Sequence, residues 1–472
     1  MTTPANQQSD SAPSTAGLAR LGMALADWAE RWFPDAFVFA LLAVIIVFAA
    51  GLFAGSNAHE LVHDFGDGFW NLIPFTMQMA IIIVGGYVVA TSPPIHRLIR
   101  WLATIPKTPR SAVAFAAFFS MASSLLSWGF SLIFTGLLVR EIVKQVRGID
   151  YRAIGTAAYL GTGTVWALGI SSSAALLMAT PASIPAALLK ISGVIPLRQT
   201  IYTWQSMTVA AILMCASIAV AYFSAPRSSP RTAESFGVAE ELAAARLEPR
   251  RTPAEWLEYA PALSVLIGIL GLAYFAQTVA ARGPLAALDL NTYNFLFLIV
   301  GLLLHWRPRS FTRAVQNAVP ATAGVLIQFP FYGGVFGIMT LSPLSRDLAG
   351  FSVRVSSHNT FPILVAIYSG ILGLFVPSGG SKWIIEAPYV LQAAKDLHVN
   401  LGWVVQIYNT AEALPNLVNP FWMLPLLGIL KVRARDLVGY GVLYLAVNGG
   451  LVLFLMWFLA RTLSYAAPAT PQ

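Results

Sequence analysis

Val376-Pro377-Ser378-Gly379-Gly380-Ser381-Lys382-Trp383 decides how this chain is read, because it sets small polar residues and one lysine inside an otherwise apolar run. Lipid offers no partner to a non-helical main chain. Such backbone survives at membrane depth only where protein buries it or where it lines a wet cavity. The segment is therefore expected to belong to a binding site and not to a plain membrane span, and a lysine at that depth is itself a functional candidate.

The surrounding composition is that of an all-α polytopic membrane protein: of 472 residues 57% are hydrophobic and only 11% charged, with a mean hydropathy of +0.68. A formal net charge of +8 would suit nucleic acid. The basic residues, however, fall in short clusters between apolar runs, which is the positive-inside arrangement, so the partner is a lipid bilayer and no nucleic acid is expected. Cys215 is the one cysteine, which excludes an intrachain disulfide, and its place in an apolar run reads as packing. Residues 1–33 are rich in Ala, Ser, Thr and Pro and lack the short apolar core of a cleaved signal, so the first span is expected to stay in the mature protein.

Windows of about twenty apolar residues give spans near 34–55, 69–91, 204–224, 260–280, 286–306, 317–340 and 438–460. Residues 111–139 and 361–393 are longer and broken near their middles by Ser, Gly or Pro; they read as re-entrant helical hairpins. Residues 153–181 and 402–430 are crossed by polar or proline-rich stretches and read as spans unwound at midmembrane. Arg97, Arg100, Lys107 and Arg110 precede the first hairpin and Arg140, Lys144, Arg147 and Arg152 follow it, so both of its ends are expected in the cytoplasm. Returning both hairpins to their side of entry puts the N-terminus in the cytoplasm and leaves Lys382 as the only basic residue within the membrane.

The chain also repeats itself. Asn71-x-x-Pro74 recurs as Asn317-x-x-Pro320, Gly85-Gly86 as Gly333-Gly334, Ser127 with its following glycine as Ser378-Gly379, and the break after Tyr159 as the break after Tyr408, all at offsets near 250 residues. An odd number of crossings between equivalent points makes the repeat inverted. The expected organisation is a cytoplasmic N-terminal segment (1–33), a first membrane repeat (34–224, with hairpin 111–139), a cytoplasmic linker (225–258), a connecting span (259–285), a second repeat (286–460, with hairpin 361–393) and a tail (461–472). The linker carries Arg227, Arg231, Arg246, Arg250 and Arg251, and Glu234 to Arg246 reads as a short surface helix.

Substrate-site candidates come from the hairpin tips. In the second, which includes Ser378, Pro377 ends an apolar run and Gly379-Gly380 would allow a tight turn with unusual torsions, after which Ser381 would open a new helix whose free amides and dipole favour an anion. The first offers Ser127, Trp128, Gly129 and Ser131 at the corresponding place, or else these small residues merely let helices pack closely. The interrupted spans supply Ser171, Ser172 and Ser173 in one and Glu412, Asn416 and Asn419 in the other; hydroxyl and amide oxygens beside unwound carbonyls suit Na⁺, although proline kinks alone explain part of the pattern. Lys382 either faces a substrate carboxylate or neutralises Glu386 one turn away, whereas Glu412 has no local basic partner and reads as a protonatable coupling residue or a cation ligand. The six histidines fall in loops or at span ends, and no zinc-protease, Walker or dinucleotide motif occurs, so an enzyme is not expected.

VPSGGSKW at 376–383, EAPY at 386–389, NPFWMLPLLGI at 419–429, and the earlier YLGTG and ISSSAALLMATP segments resemble the short-chain fatty acid transporter family, which includes acetoacetate and butyrate permeases, over nearly the whole chain. The resemblance implies a secondary carrier of the broad ion-transporter superfamily with inverted repeats, two re-entrant hairpins and small monocarboxylate substrates. The expected protein is a symporter in the bacterial inner membrane, needing no cofactor beyond a coupling Na⁺ or H⁺, with homo-oligomerisation left open. Its substrate carboxylate would sit at Ser378–Ser381 and Lys382, with the acyl chain against Trp128, Phe130 and Trp383. Carriage of C4-dicarboxylates or acyl-glutamate-type anions, or an ion channel, are the alternatives.

Overall fold

The computed structural model describes residues 36–226, 231–236, 252–284, 287–375, 378–419 and 421–467. The N-terminal segment, most of the linker with its expected surface helix, and Val376, Pro377 and Pro420 lie outside the described residues. Among the described residues every regular element is a helix. The first half runs α1 (Ala36–Phe53), α2 (Ala58–Asn71), α3 (Ile73–Ala90), α4 (Pro93–Leu102), α5 (Pro109–Leu126), α6 (Trp128–Gln145), α7 (Tyr151–Leu160), α8 (Ser173–Ala179), α9 (Ala186–Ser192) and α10 (Trp204–Ser224). After α11 (Glu255–Tyr259) and α12 (Pro261–Arg282), the second half runs α13 (Leu290–His305), α14 (Pro308–Ala318), α15 (Ala323–Leu341), α16 (Leu344–Val355), α17 (Phe361–Phe375), α18 (Gly379–Asp396), α19 (Leu401–Ala413), α20 (Leu424–Leu430) and α21 (Ala434–Ala460). The order of long helix, amphipathic helix, broken hairpin and interrupted span is thus the same in both halves.

Among the described residues seven stretches are long and apolar enough to cross a membrane, with shorter apolar helices at Ala40–Phe53, Leu290–His305 and Phe361–Leu374. Two expected spans are present but start differently. The 69–91 stretch is broken at Leu72, because Pro74 in the first turn of α3 has no amide to continue the preceding helix, and the chain before it forms the separate helix α2. The 317–340 stretch likewise begins with a 3-10 turn, Val319–Thr322, at Pro320.

Helix α2 crosses α15 backbone to backbone. A Cβ added at Gly68 would lie 2.7 Å from Gly337 Cα, and one at Gly333 2.7 Å from Gly68 O, so three glycines permit the approach. By contrast α12 packs on α13 only through a narrow strip at Gly268 and Gly271, and its Leu266, Ile267 and Leu270 are exposed, as befits a lipid-facing helix. Cys215 is exposed on α10, which corrects its reading as packing.

Both hairpins break where the sequence placed the break and run further than expected, over 109–145 and 361–396. The break residues are Ser127 (φ −158°, ψ 117°) and Ser378 (φ −151°, ψ 106°), both extended. The first interrupted span passes from α7 through a π turn, Gly161–Val165, and a 3-10 turn, Trp166–Leu168, to an extended Gly169 before α8. The second passes from α19 through a 3-10 turn, Leu414–Leu417, to α20. Close packing fixes these breaks: a Cβ at Gly163 would fall on Leu417 and one at Gly161 on Ser120 and Ser124.

Candidate functional site

The two hairpin breaks and the two interrupted spans meet at one buried cavity of about 30 Å³. Trp128 lines it from the first tip, Ser378, Gly379 and Gly380 from the second. Thr162, Trp166 and Ser173 line it from the first interrupted span, Asn416 and Trp422 from the second. This volume holds about two waters and is too small for a carboxylic acid of several carbons.

The second tip leaves its helix start open. Ser378 does not cap α18; its Oγ instead accepts from Ser381 Oγ at 2.5 Å. The first amides of α18 therefore lack a side-chain acceptor where the helix meets the cavity, which is the arrangement that receives an anion. Tyr408 holds this tip by donating to Gly379 O at 2.8 Å. No residue of the described tip has a positive φ, which corrects the expectation of unusual torsions at Gly379 and Gly380. They are required by proximity: an added Cβ would fall on the Trp166 ring at Gly379 and lie 2.6 Å from Phe75 Cζ at Gly380.

The first tip is satisfied within itself. Ser127 Oγ accepts from the Phe130 amide at 3.3 Å, and Ser171 Oγ accepts from the Trp128 amide at 2.7 Å. Ser131 donates to Ser120 O and faces neither cavity, while Gly129 lines a second, larger one on the far side of Trp128. Ser172 caps α8 and donates to Asn409 Oδ1 at 3.1 Å.

Lys382 is fully buried but does not line the small cavity. Its Nζ lies 2.6 Å from Glu412 Oε2, 3.4 Å from Glu386 Oε1, donates to Ser369 O at 2.6 Å, and sits 4.8 Å over the Tyr408 ring. Glu412, which has no basic partner close by in sequence, therefore has one from another helix. Glu386 also accepts from Ser369 Oγ at 2.5 Å. One ammonium thus serves two carboxylates, and Glu386 Oε1 and Glu412 Oε1 have no hydrogen-bond donor.

Asn416 Nδ2 donates to Thr162 O at 3.2 Å, whereas Asn416 Oδ1 and Thr162 Oγ1, both buried beside the cavity, lack partners. Asn419 Nδ2 reaches Leu374 O at 3.0 Å. Trp383 is buried against Tyr408 and Phe130 against Phe134, and neither lines the small cavity; Trp166 and Trp422, not among the residues picked from the sequence, do. Among the described residues no group of three His, Cys, Asp or Glu could hold a metal ion.

Among the described residues the chain is all-helical, and its broken helices meet at one small cavity, the architecture of a membrane protein with a central site. The sequence profile of the short chain fatty acid transporters matches residues 17–459, and the chain belongs to that family. An Escherichia coli K12 protein named "Putative short-chain fatty acid transporter" is 35% identical over 445 residues, covering 93% of this chain and all of that one. A Haemophilus influenzae protein of the same name is 33% identical, covering 94% of this chain and all of its own. In fold the chain is similar to Neisseria gonorrhoeae MtrF, described among antimetabolite efflux pumps (TM-score 0.57, 12% identity, 95% of this chain and 100% of that one). It is also similar to the Alcanivorax borkumensis YdaH transporter (TM-score 0.55, 12% identity, 92% and 100%). Family and relatives are transporters, not enzymes.

Proposed function

We propose that this protein is a secondary carrier, a symporter of short monocarboxylates such as acetoacetate or butyrate with H⁺ or Na⁺ across the bacterial inner membrane. The observation that carries the reading is the uncapped start of α18 at a small cavity walled by Trp128, Trp166 and Trp422. The amides take a carboxylate and the indoles take a short acyl chain. Ser378 to Ser381 form the anion seat, opposite Ser127, Trp128, Gly129 and Ser131 of the first tip. Lys382 reaches the substrate only by leaving Glu412. A cavity this small, closed on one side by the Trp128–Trp422 edge-to-face pair at 5.0 Å, favours a carrier over a channel.

Two features support coupling. With both glutamates ionised, the Glu386–Lys382–Glu412 cluster carries one excess negative charge in a dry interior, which a proton would neutralise. Thr162 Oγ1 and Asn416 Oδ1, with Ser171, Ser172, Ser173 and Asn419 nearby, are the oxygen ligands that Na⁺ would use. Uptake of labelled butyrate and acetoacetate into proteoliposomes under separate Na⁺ and H⁺ gradients tests the reading. Accumulation driven by one gradient supports it; no uptake under either overturns it.

The matching order of helices in the two halves supports a repeat, and the basic residues on both flanks of the first hairpin support its inversion with the N-terminus in the cytoplasm. Pro109→Cys and Val146→Cys in a Cys215→Ser background should both be labelled only from inside. Labelling from opposite sides would remove the re-entrant hairpin and the inversion together.

A further inference from the structure

Beyond Trp128 lies a second cavity of about 860 Å³, open towards one face of the protein. Arg97, Arg100, Arg140, Arg313 and Lys431 line it, and no aspartate or glutamate does. Burial pushes the pKa of His96, also in the wall, below its ordinary value against an opposing pull from Glu141, so the positive field at neutral pH comes from the arginines and the lysine. A cleft of one sign with low-dielectric walls concentrates the opposite ion.

Arg140 differs from the other four cations. They are exposed, whereas Arg140 is 5% exposed. Its Nη1 donates to Ile429 O at 3.2 Å, and among the described residues no carboxylate pairs with it. A guanidinium has five N–H donors in a fixed fork, and a buried one without an anion is costly unless the cavity supplies a partner. From Arg140 towards the tip, one face of α6 lines the same cavity through Leu137, Ile133, Leu132 and Trp128. Twelve residues of helix span about 18 Å, so an apolar strip leads from the guanidinium to the tryptophan that separates the two cavities.

We propose that this vestibule holds a second carboxylate site. Arg140 receives the carboxylate on its fork, and the short acyl chain lies on Leu137 and Ile133, one stop short of the central cavity. The site serves one side of the membrane only, because the Trp128–Trp422 pair closes its inner end. The proposal rests on the monocarboxylate reading and adds a station to it.

Equilibrium binding of labelled butyrate to the purified full chain tests it directly. Wild-type protein should bind two butyrates per chain and Arg140→Gln one. Butyrate exchange in membrane vesicles of both orientations adds a sided readout. Arg140→Gln should raise the half-saturating concentration about fivefold or more on one side and leave the other side as it was, with Arg140→Lys between the two. Added potassium chloride should weaken the wild-type response on that side more than the variant's. One butyrate per chain in both proteins overturns the vestibule site and leaves the carrier reading standing; no bound butyrate in either removes both. A shift that is equal on the two sides, or a lower maximal rate at unchanged half-saturation, would reduce Arg140 to an anchor for the Ile429 carbonyl and overturn the site.

Discussion

The two hairpin tips share a plan of helix, extended serine and helix, yet they dispose of their polar groups in opposite ways. At the first, Ser127 caps α6 and the Trp128 amide is taken by Ser171, so its two leading donors are occupied by protein. At the second, Ser378 pairs with Ser381 and caps nothing, and one turn further along α18 a buried lysine holds two glutamates. The lesson is that two tips of one plan need not share one chemistry. The first tip is finished as a wall, whereas the second is left incomplete, as the proposed anion seat requires.

The comparison breaks most visibly at glycine. Gly379→Ala would drive a methyl into the Trp166 ring and Gly380→Ala would set one 2.6 Å from Phe75, while Gly129→Ala at the first tip meets nothing closer than 3.6 Å. Overpacking of about 1–3 kcal/mol at the second tip should cut butyrate uptake on the order of tenfold to a hundredfold, with the protein still in the membrane. Gly129→Ala should stay within about twofold of wild type. Equal tolerance at both tips would mean that the second is no more tightly built than the first.

The charge cluster, which has no counterpart at the first tip, is tested through stability before uptake. Lys382→Met strands two buried carboxylates, at a cost of about 3–5 kcal/mol, and should lower the yield and melting temperature of the purified protein. Adding Glu412→Gln removes the closer of the two carboxylates and should restore much of that loss, a coupling a double-variant cycle measures. If Lys382 instead serves the substrate, the single variant will fold normally, half-saturation will rise about tenfold or more, and the second change will rescue nothing.

Much of this contrast was legible in the sequence. A serine with a glycine one or two residues on, inside an apolar run, announced both breaks, and the glycine- and proline-rich stretches at 161–164 and 415–420 announced both interrupted spans. The pairing of Lys382 with Glu412 was not, because the two residues lie on different helices and only the i, i+4 spacing to Glu386 is visible locally. Helix α2 escaped because a window tuned to twenty apolar residues passes over a short two-faced helix, although Leu61, Phe65 and Phe69 recur every four residues along it. Trp422 had a signal, an aromatic pair directly after Asn419-Pro420, but nothing in the sequence aims it at Trp128.

The smallest expected effect separates the tips most cleanly, because it uses the same substitution at both. Ser127→Ala removes a helix cap from the Phe130 amide and should cost about 0.5–2 kcal/mol of stability, read as a lower melting temperature. Ser378→Ala removes no cap, so its melting temperature should stay near wild type. It does remove a hydroxyl from the cavity wall and the acceptor of Ser381, and the freed Ser381 hydroxyl should turn elsewhere. Half-saturation for butyrate should therefore rise severalfold in Ser378→Ala and hold steady in Ser127→Ala, since a neutral hydrogen bond is worth about 1 kcal/mol. Two variants that both lose stability and leave half-saturation alone would show two structural tips and no anion seat. The reverse pattern, with half-saturation moved only by Ser127→Ala, would transfer the seat to the first tip.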